Sequence, residues 1–419
     1  MTREMEYLAY LYACGSRGVQ AQPPDYPVNW LRLFQIAAEQ SIFHTVAVAV
    51  RQNELGCPDD IKRSTVPYLR RDGLKNVLTT DGILDLVGEM EARGIPVLII
   101  KGIDVARCYA NPECRISSDT DLLIRPQDEE KAYELLTESG FQMKKRREES
   151  NHGIGHHPTF GQVELHIKLL ADFYQNVKIK DWQLDDRAMR FREKQEYLGK
   201  TYYAMEPTDN LLFLTHHMLK HFMYDGLGLR MMMDNTLYAI QHSEQIDRER
   251  YARSLLDTNF YHVMQVIFGA MVKYCGFCRE DFPIEPSRDD EQIDLIMTDL
   301  EESGVQGLKN ESERVEAWHY YRCKTMHDTN DREQLSAIKK DIRTEYGRSL
   351  FPTVEHLSIK YPRLRRHKWQ YPFCWTHRFV TRGVKTFFFT NTRAETDVTK
   401  LSEGGQKKAA LFRSLGLMP

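Results

Sequence analysis

Two carboxylates two residues apart, in Ser117-Ser118-Asp119-Thr120-Asp121-Leu122-Leu123-Ile124, are the part of this chain best suited to chemistry. On a strand successive side chains alternate between faces, so Asp119 and Asp121 point the same way. Such a pair at a strand's entrance can share Mg²⁺, which takes few protein carboxylates and fills its octahedron with water and phosphate oxygens. A third acid comes from Val163-Glu164-Leu165-His166-Ile167-Lys168, whose strict alternation puts Glu164, His166 and Lys168 on one face. Three carboxylates around two ions would activate an attacking hydroxyl and neutralise a leaving pyrophosphate. Taken singly, the same motifs read as a solvated strand edge and the polar face of an amphipathic strand. Upstream, Lys101-Gly102 stands where a buried strand hands over to a helix, a place where backbone N–H groups and the helix dipole receive phosphate, and Lys101 adds a mobile charge.

The elements that must hold these residues follow from hydrophobic period. Val97-Leu98-Ile99-Ile100 is an unbroken apolar run, the mark of a strand buried on both faces. After it the pattern alternates: a helix over 103–110, a strand over 120–124, a helix over 128–139, and strands over 141–145 and 162–169. Acids at Asp128-Glu129-Glu130 suit the positive end of a helix dipole, and Gly140 suits its end. The stretch 148–160, rich in His, Gly, Asn and Ser, reads as a loop between strands. Before this block, 28–95 reads as helices, the last over 80–91 after an Asp81-Gly82 turn. Beyond Pro207, helical spacing recurs over 209–220, 230–241, 247–257, 261–275, 289–303 and 311–325. The expected fold is therefore α+β with a mixed sheet. It divides into an N-terminal helical segment (1–92), an α/β domain (93–205), an all-helical domain (206–345) and a basic-aromatic segment with a frayed polar tail (346–419).

The order of strand, Lys-Gly turn, helix, Asp-x-Asp strand and acidic strand resembles the nucleotidyltransferase superfamily that includes DNA polymerase β and the aminoglycoside nucleotidyltransferases. More closely, 97–128 with 163–169 resembles a bacterial family of uncharacterised nucleotidyltransferases, in which a Lys-Gly turn, a short helix, an Asp-x-Asp strand and an acid-Leu-His strand recur. The likeness extends to His216, His217, His221, Arg230 and Asp234, and more faintly to Phe351-Pro352 and Tyr361-Pro362. It implies a polymerase β-like domain, Asp119, Asp121 and Glu164 as metal-binding and catalytic carboxylates, and Gly102 for the phosphate turn. Lys101, Ser118, His166, Lys168 and Arg230 are the further residues expected at the nucleotide. The implied cofactor is Mg²⁺ or Mn²⁺, with a nucleoside triphosphate as substrate. One departure stands out: the superfamily often has Gly-Ser at the turn, whereas this chain has Gly102-Ile103.

Composition bounds the alternatives. A chain of 419 residues with 42% hydrophobic and 11% aromatic residues is a globular protein of more than one domain. Its net charge of −3 offers no global attraction to nucleic acid or membrane. The start, MTREMEYLAY, lacks a basic region followed by an apolar core, no apolar run approaches the ~20 residues of a spanning helix, and eight scattered cysteines suit a reducing compartment. These features lead to the expectation of a cytoplasmic protein with no transmembrane segment. Cys275-x-x-Cys278 has the spacing of half a zinc site but no matching second pair, which favours ordinary thiols on a helix.

Several signals admit two readings. His152, His156 and His157 could reach a triphosphate, an acceptor or a transition metal, or be solvated loop residues. His216, His217 and His221, at helical spacing, could put two imidazoles on one face for a metal, but no adjacent acid completes a hydrolytic motif and helix packing near the cleft is favoured. Arg230 and Asp234, at i and i+4, are either an ordinary helix ion pair or a phosphate clamp whose fork Asp234 fixes. Between 360 and 385 basic residues interleave with Tyr361, Trp369, Tyr371, Trp375 and Phe379, a pattern for an anionic partner or for a surface wrap. The leading expectation is a transferase moving a nucleoside monophosphate to an acceptor hydroxyl, the acceptor itself being unspecified by sequence. The alternatives are a non-catalytic nucleotide-binding or interaction protein on a degenerate version of the fold, and a helical scaffold acting through the basic-aromatic segment.

Overall fold

Apolar runs and alternating segments of the sequence become the strands of one mixed sheet in the computed structural model, which describes residues 1–144, 146, 150–169, 184–224, 226–303, 368–372 and 403–417. The chain forms two units, Met1–Arg314 with Ala410–Pro419, and Val315–Ala409. The first holds the sheet and the helices around it. The helix expected over 311–325, and all of 360–385 except 368–372, lie outside the described residues.

Five helices open the chain: α1 (Arg3–Arg17), α2 (Trp30–Glu39), α3 (Phe43–Gln52), α4 (Asp59–Ser64) and α5 (Val66–Ala92). Asn29 caps α2, its Oδ1 accepting from the Arg32 amide at 3.1 Å. The expected turn at Asp81-Gly82 does not occur, because α5 runs through both residues. The Phe160 ring lies where a Gly82 side chain would stand, so glycine here admits a packing partner rather than breaking the helix. The buried stripe Ile83, Leu84, Leu86, Val87 and Met90 faces the sheet.

The sheet comprises β1 (Val97–Ile100), β2 (Asp119–Ile124), β3 (Gln142–Lys144), β4 (His152–His157) and β5 (Gly161–His166), in the order β1-β2-β5-β4-β3. Only β2 and β5 run parallel; the other neighbours are antiparallel. Its core-facing residues divide between two clusters, one with Val97, Ile99, Leu122, Ile124, Val163 and Leu165, the other with Leu98, Ile100 and Leu123. Each such aliphatic side chain contributes roughly 1.5–3 kcal/mol by leaving water. β1 is thus buried on both faces, as its sequence requires. Helix α6 (Gly102–Ala106) is shorter than its expected 103–110, and α7 (Glu129–Glu138) follows a 3-10 turn over Pro126–Asp128.

The described part of the segment, 150–160, is not a loop: β4 occupies its middle and pairs with both β3 and β5. Its glycines explain the misreading. Gly153 and Gly155 suggest a turn, but here they make room, since a Cβ on Gly153 would collide with Tyr133 Oη of α7. Glycine in a strand commonly marks such a close approach.

After α8 (Leu184–Arg190) and the hairpin β6 (Glu193–Tyr197) and β7 (Lys200–Ala204), the chain is helical again: α9 (Pro207–Tyr224), α10 (Leu229–Gln241), α11 (Arg248–Asp257), α12 (Tyr261–Cys275) and α13 (Asp290–Ser303). The tail is not wholly frayed, because Glu403–Ser414 forms a helix. Phe412 and Leu415 are fully buried, Phe412 with its ring 5.5 Å from that of Phe222. Apolar residues at helical spacing let this end bury a face despite its polar flanks. The architecture is α+β with a mixed sheet and flanking helical regions, as expected. Among the described residues no helix is long and apolar enough to cross a membrane.

Candidate active site

One face of the sheet carries the acids. Asp119 and Asp121 lie two apart on β2, and the parallel register sets Asp121 beside Glu164 and Asp119 beside Gln162. The antiparallel register sets His152 beside His166. Alternation therefore collects Asp119, Asp121, Glu164, His166 and His152 on a single face, above a cleft of about 290 Å³. Helices α9 and α10 supply the opposite wall with His217, His221 and Arg230.

Asp121 is the buried centre, 3% exposed. Its Oδ2 pairs with Lys101 Nζ at 3.0 Å, and its Oδ1 lies 2.9 Å from His166 Nε2. Burial pushes its carboxyl up, but the Lys101 ammonium and the His166 hydrogen bond outweigh that and hold it at about 2. Glu164 is lowered chiefly by its bond with His166, 3.5 Å from its Oε2. Burial works against protonation of His166, yet its bonds to Asp121 and Glu164 prevail and raise it. Burial depresses His152, against the pull of Glu164. Asp119 is half-buried, and its Oδ1 accepts from Ser117 Oγ at 3.2 Å and from exposed Ser118 Oγ at 3.4 Å.

The turn beneath the acids is strained. Lys101 has φ 64° and ψ −143°, and Gly102 has φ 45°. A left-handed backbone at a residue other than glycine costs on the order of 1–3 kcal/mol and survives where its surroundings hold it. Here β1 on one side and the Asp121 ion pair on the other do so, aiming Lys101 into the cleft. Its Nζ also lies 3.5 Å from His217 Nε2, and burial together with Lys101 keeps His217 well below the ordinary imidazole range.

Arg115 is the functional residue that sequence reasoning missed. Its Nε and NH2 form a fork on Asp234 at 2.8 and 2.7 Å, and its NH1 donates to the Gly102 carbonyl at 3.2 Å. Tyr109 Oη adds a 2.7 Å bond to Asp234 Oδ1. Arg115 thereby fastens the strained turn to α10. This overturns the helix ion pair of Arg230 with Asp234, and Asp234's part in fixing an Arg230 fork: Asp234 belongs to Arg115, while Arg230 donates to the Ile116 carbonyl at 2.8 Å and lines the cleft. The sequence carries no clear signal of this, because Glu113 and Asp119 flank Arg115 locally whereas the acid it pairs with is far away along the chain.

The other sequence candidates separate clearly. Lys101, Gly102, Ser118, His166 and Arg230 line the cleft, whereas Lys168 is exposed beyond the end of β5 and does not. His157 stacks on Phe160 at 4.4 Å and His156 is exposed. Cys275 is buried at the end of α12 and Cys278 is exposed.

His216 lies inside the helical core rather than in the cleft, fully buried with its ring 5.0 Å from Phe260. Burial lowers it from an ordinary 6.5 to about 3. The unfolded chain therefore takes up a proton that the folded chain refuses, so this contribution is complete above pH 6.5 and is lost as pH falls towards 3. Between pH 7 and 5 it should remove about 2 kcal/mol. Urea unfolding at the two pH values is expected to show a pH loss smaller by that amount in His216→Leu than in the unmodified chain; equal losses would contradict the assignment.

The donor set fits a divalent cation. Three carboxylates lining the cleft from one face offer hard oxygens to an ion, and Lys101 and Arg230 beside them offer positive charge to a polyphosphate. The family described as uncharacterised nucleotidyltransferase matches residues 26–270. A solved structure, an antigenic nucleotidyltransferase-like protein from Paracoccidioides brasiliensis, aligns at 18% identity over 40% of this chain and 76% of its own, with a TM-score of 0.27. No curated protein matches.

Proposed function

The chain belongs to the family of uncharacterised nucleotidyltransferases, and we propose that it moves a nucleoside monophosphate from a nucleoside triphosphate to an acceptor hydroxyl with Mg²⁺ or Mn²⁺ as cofactor. The observation that carries this reading is the parallel register that sets Asp121 beside Glu164, and so gathers three carboxylates on one face of the cleft. Asp119, Asp121 and Glu164 hold the cation. When bound, it neutralises the polyphosphate and lowers the pKa of the attacking hydroxyl.

The chain's own groups do the rest. Gly102 N–H and Lys101 receive the β- and γ-phosphates, Ser118 and Arg230 close on the triphosphate from either side, and Arg115 keeps the turn in place. The acceptor oxygen forms a bond to the α-phosphorus as the bond to the bridging oxygen of pyrophosphate breaks. The acceptor proton passes to Glu164 or to water, and pyrophosphate leaves. His166 keeps Asp121 oriented through its 2.9 Å bond.

A second reading, nucleotide binding without transfer, draws on the same contacts. Both oxygens of Asp121 are engaged, one by Lys101 and one by His166, and Ile103 stands where the superfamily often has serine. The test is label transfer and pyrophosphate release from α-³²P nucleotides with Mg²⁺ or Mn²⁺ in lysate. Transfer of label supports the enzyme, and the mobility of the labelled species identifies the acceptor. Nucleotide binding with no pyrophosphate release under either metal would select the second reading.

A further inference from the structure

We infer that His152, Glu164 and His166 form a binding site for a transition-metal ion of the zinc or cobalt class. The inference stands on these donor atoms and does not depend on nucleotidyl transfer. Each residue offers one ligand atom, and the three atoms lie within 4.8 Å of one another, the only such group among the described residues. Glu164 Oε2 is 3.7 Å from His152 Nε2 and 3.5 Å from His166 Nε2. Metal–ligand bonds of ~2.1 Å at tetrahedral angles would place neighbouring ligands about 3.4 Å apart, so little rearrangement is needed.

Two features favour a borderline ion over magnesium. The first is the donor set: two imidazoles with one carboxylate suit zinc or cobalt, whereas magnesium prefers oxygen and keeps its water. The second is the support around His152. Its Nδ1 lies 3.0 Å from Asn151 Oδ1, which accepts the Nδ1 proton and leaves Nε2 with its lone pair towards Glu164. The two rings face each other across β4 and β5 at 4.9 Å, on strands whose register is set by backbone bonds. Because all three residues line the cleft, the ion keeps open positions for water or substrate. Ligation through His166 Nε2 requires the ring to lose its Nε2 proton to solvent, keep its proton on Nδ1 and give up the hydrogen bond to Asp121.

Cobalt(II) tests this without nucleotide. The 419-residue chain, freed of metal with a chelator and with accessible thiols alkylated, is titrated with Co²⁺ and followed by visible absorption. The expected result is uptake of about one equivalent with the intense d–d bands of a four- or five-coordinate ion, displaced by Zn²⁺ but not by excess Mg²⁺. His152→Gln and His166→Gln should lose the bands while Asp119→Asn keeps them. Thermal unfolding checks that each variant is folded, and should His166→Gln fail, His152→Gln decides. Absence of the bands in the unmodified chain, their survival in folded His152→Gln, or their loss in Asp119→Asn would each overturn the site. Nucleotidyl transfer assayed separately stands or falls on its own, so the two failures are distinguishable.

Discussion

Asp119→Asn is expected to lower nucleotidyl transfer by about 10²–10³-fold, on the order of 3–4 kcal/mol of transition-state stabilisation, with almost no loss of fold stability. The substitution keeps the size and shape of the side chain and removes only its charge. In the structure that charge is met by two serine hydroxyls, at 3.2 and 3.4 Å, on a half-buried residue at the mouth of β2. The fold therefore asks little of it, and a change this mild at such a site falls within roughly ±0.5 kcal/mol of stability. Asp121→Asn is a poorer probe, because it strips Lys101 of its buried counter-charge and disturbs His166 together with the metal. Label transfer and urea unfolding on Asp119→Asn separate the two effects. Transfer at the unmodified rate in a folded Asp119→Asn protein would remove Asp119 from the catalytic set.

The largest effect on stability is expected at Arg115. Arg115→Met should cost about 3–5 kcal/mol, because it leaves the buried Asp234 carboxylate without its partner. Both side chains are at most 10% exposed, and the pair makes two parallel bonds of 2.7 and 2.8 Å. Arg115→Lys should recover only part of this, since an ammonium cannot reproduce the planar fork or reach the Gly102 carbonyl as well. The double variant Arg115→Met with Asp234→Leu should regain much of the loss, because no unpaired charge remains. Urea midpoints across the single and double variants supply the cycle, and additive losses would show that the two residues do not act as a pair. Transfer should fall further in Arg115→Met than stability alone requires, since the residue positions the Lys101-Gly102 turn.

Much of the fold was legible because it rests on local period. The unbroken apolar run of β1, the ends of α7 and the helices beyond Pro207 all follow from side-chain spacing that one element imposes on itself. Strand β4 was not legible, because its glycines look the same whether they turn a chain or make room for a neighbour. What distinguishes the cases is Tyr133, supplied by another helix. The Asp81-Gly82 step failed for the same reason, with Phe160 as the neighbour.

By itself the sequence determined that Asp119 and Asp121 share a face, that Glu164 and His166 share one, and that a Lys-Gly turn follows a buried strand, since alternation and period are properties of a single strand or helix. Only the tertiary structure decided that the two faces are the same face, through the parallel pairing of β2 with β5 across intervening chain. It also decided that His152 joins the acids, that Lys101 is held against Asp121 by a strained backbone, and that Asp234 answers Arg115 rather than Arg230. Partner choice among charges is settled by which groups are brought together and kept from water, and neither distance in space nor burial is written in the spacing of residues along the chain.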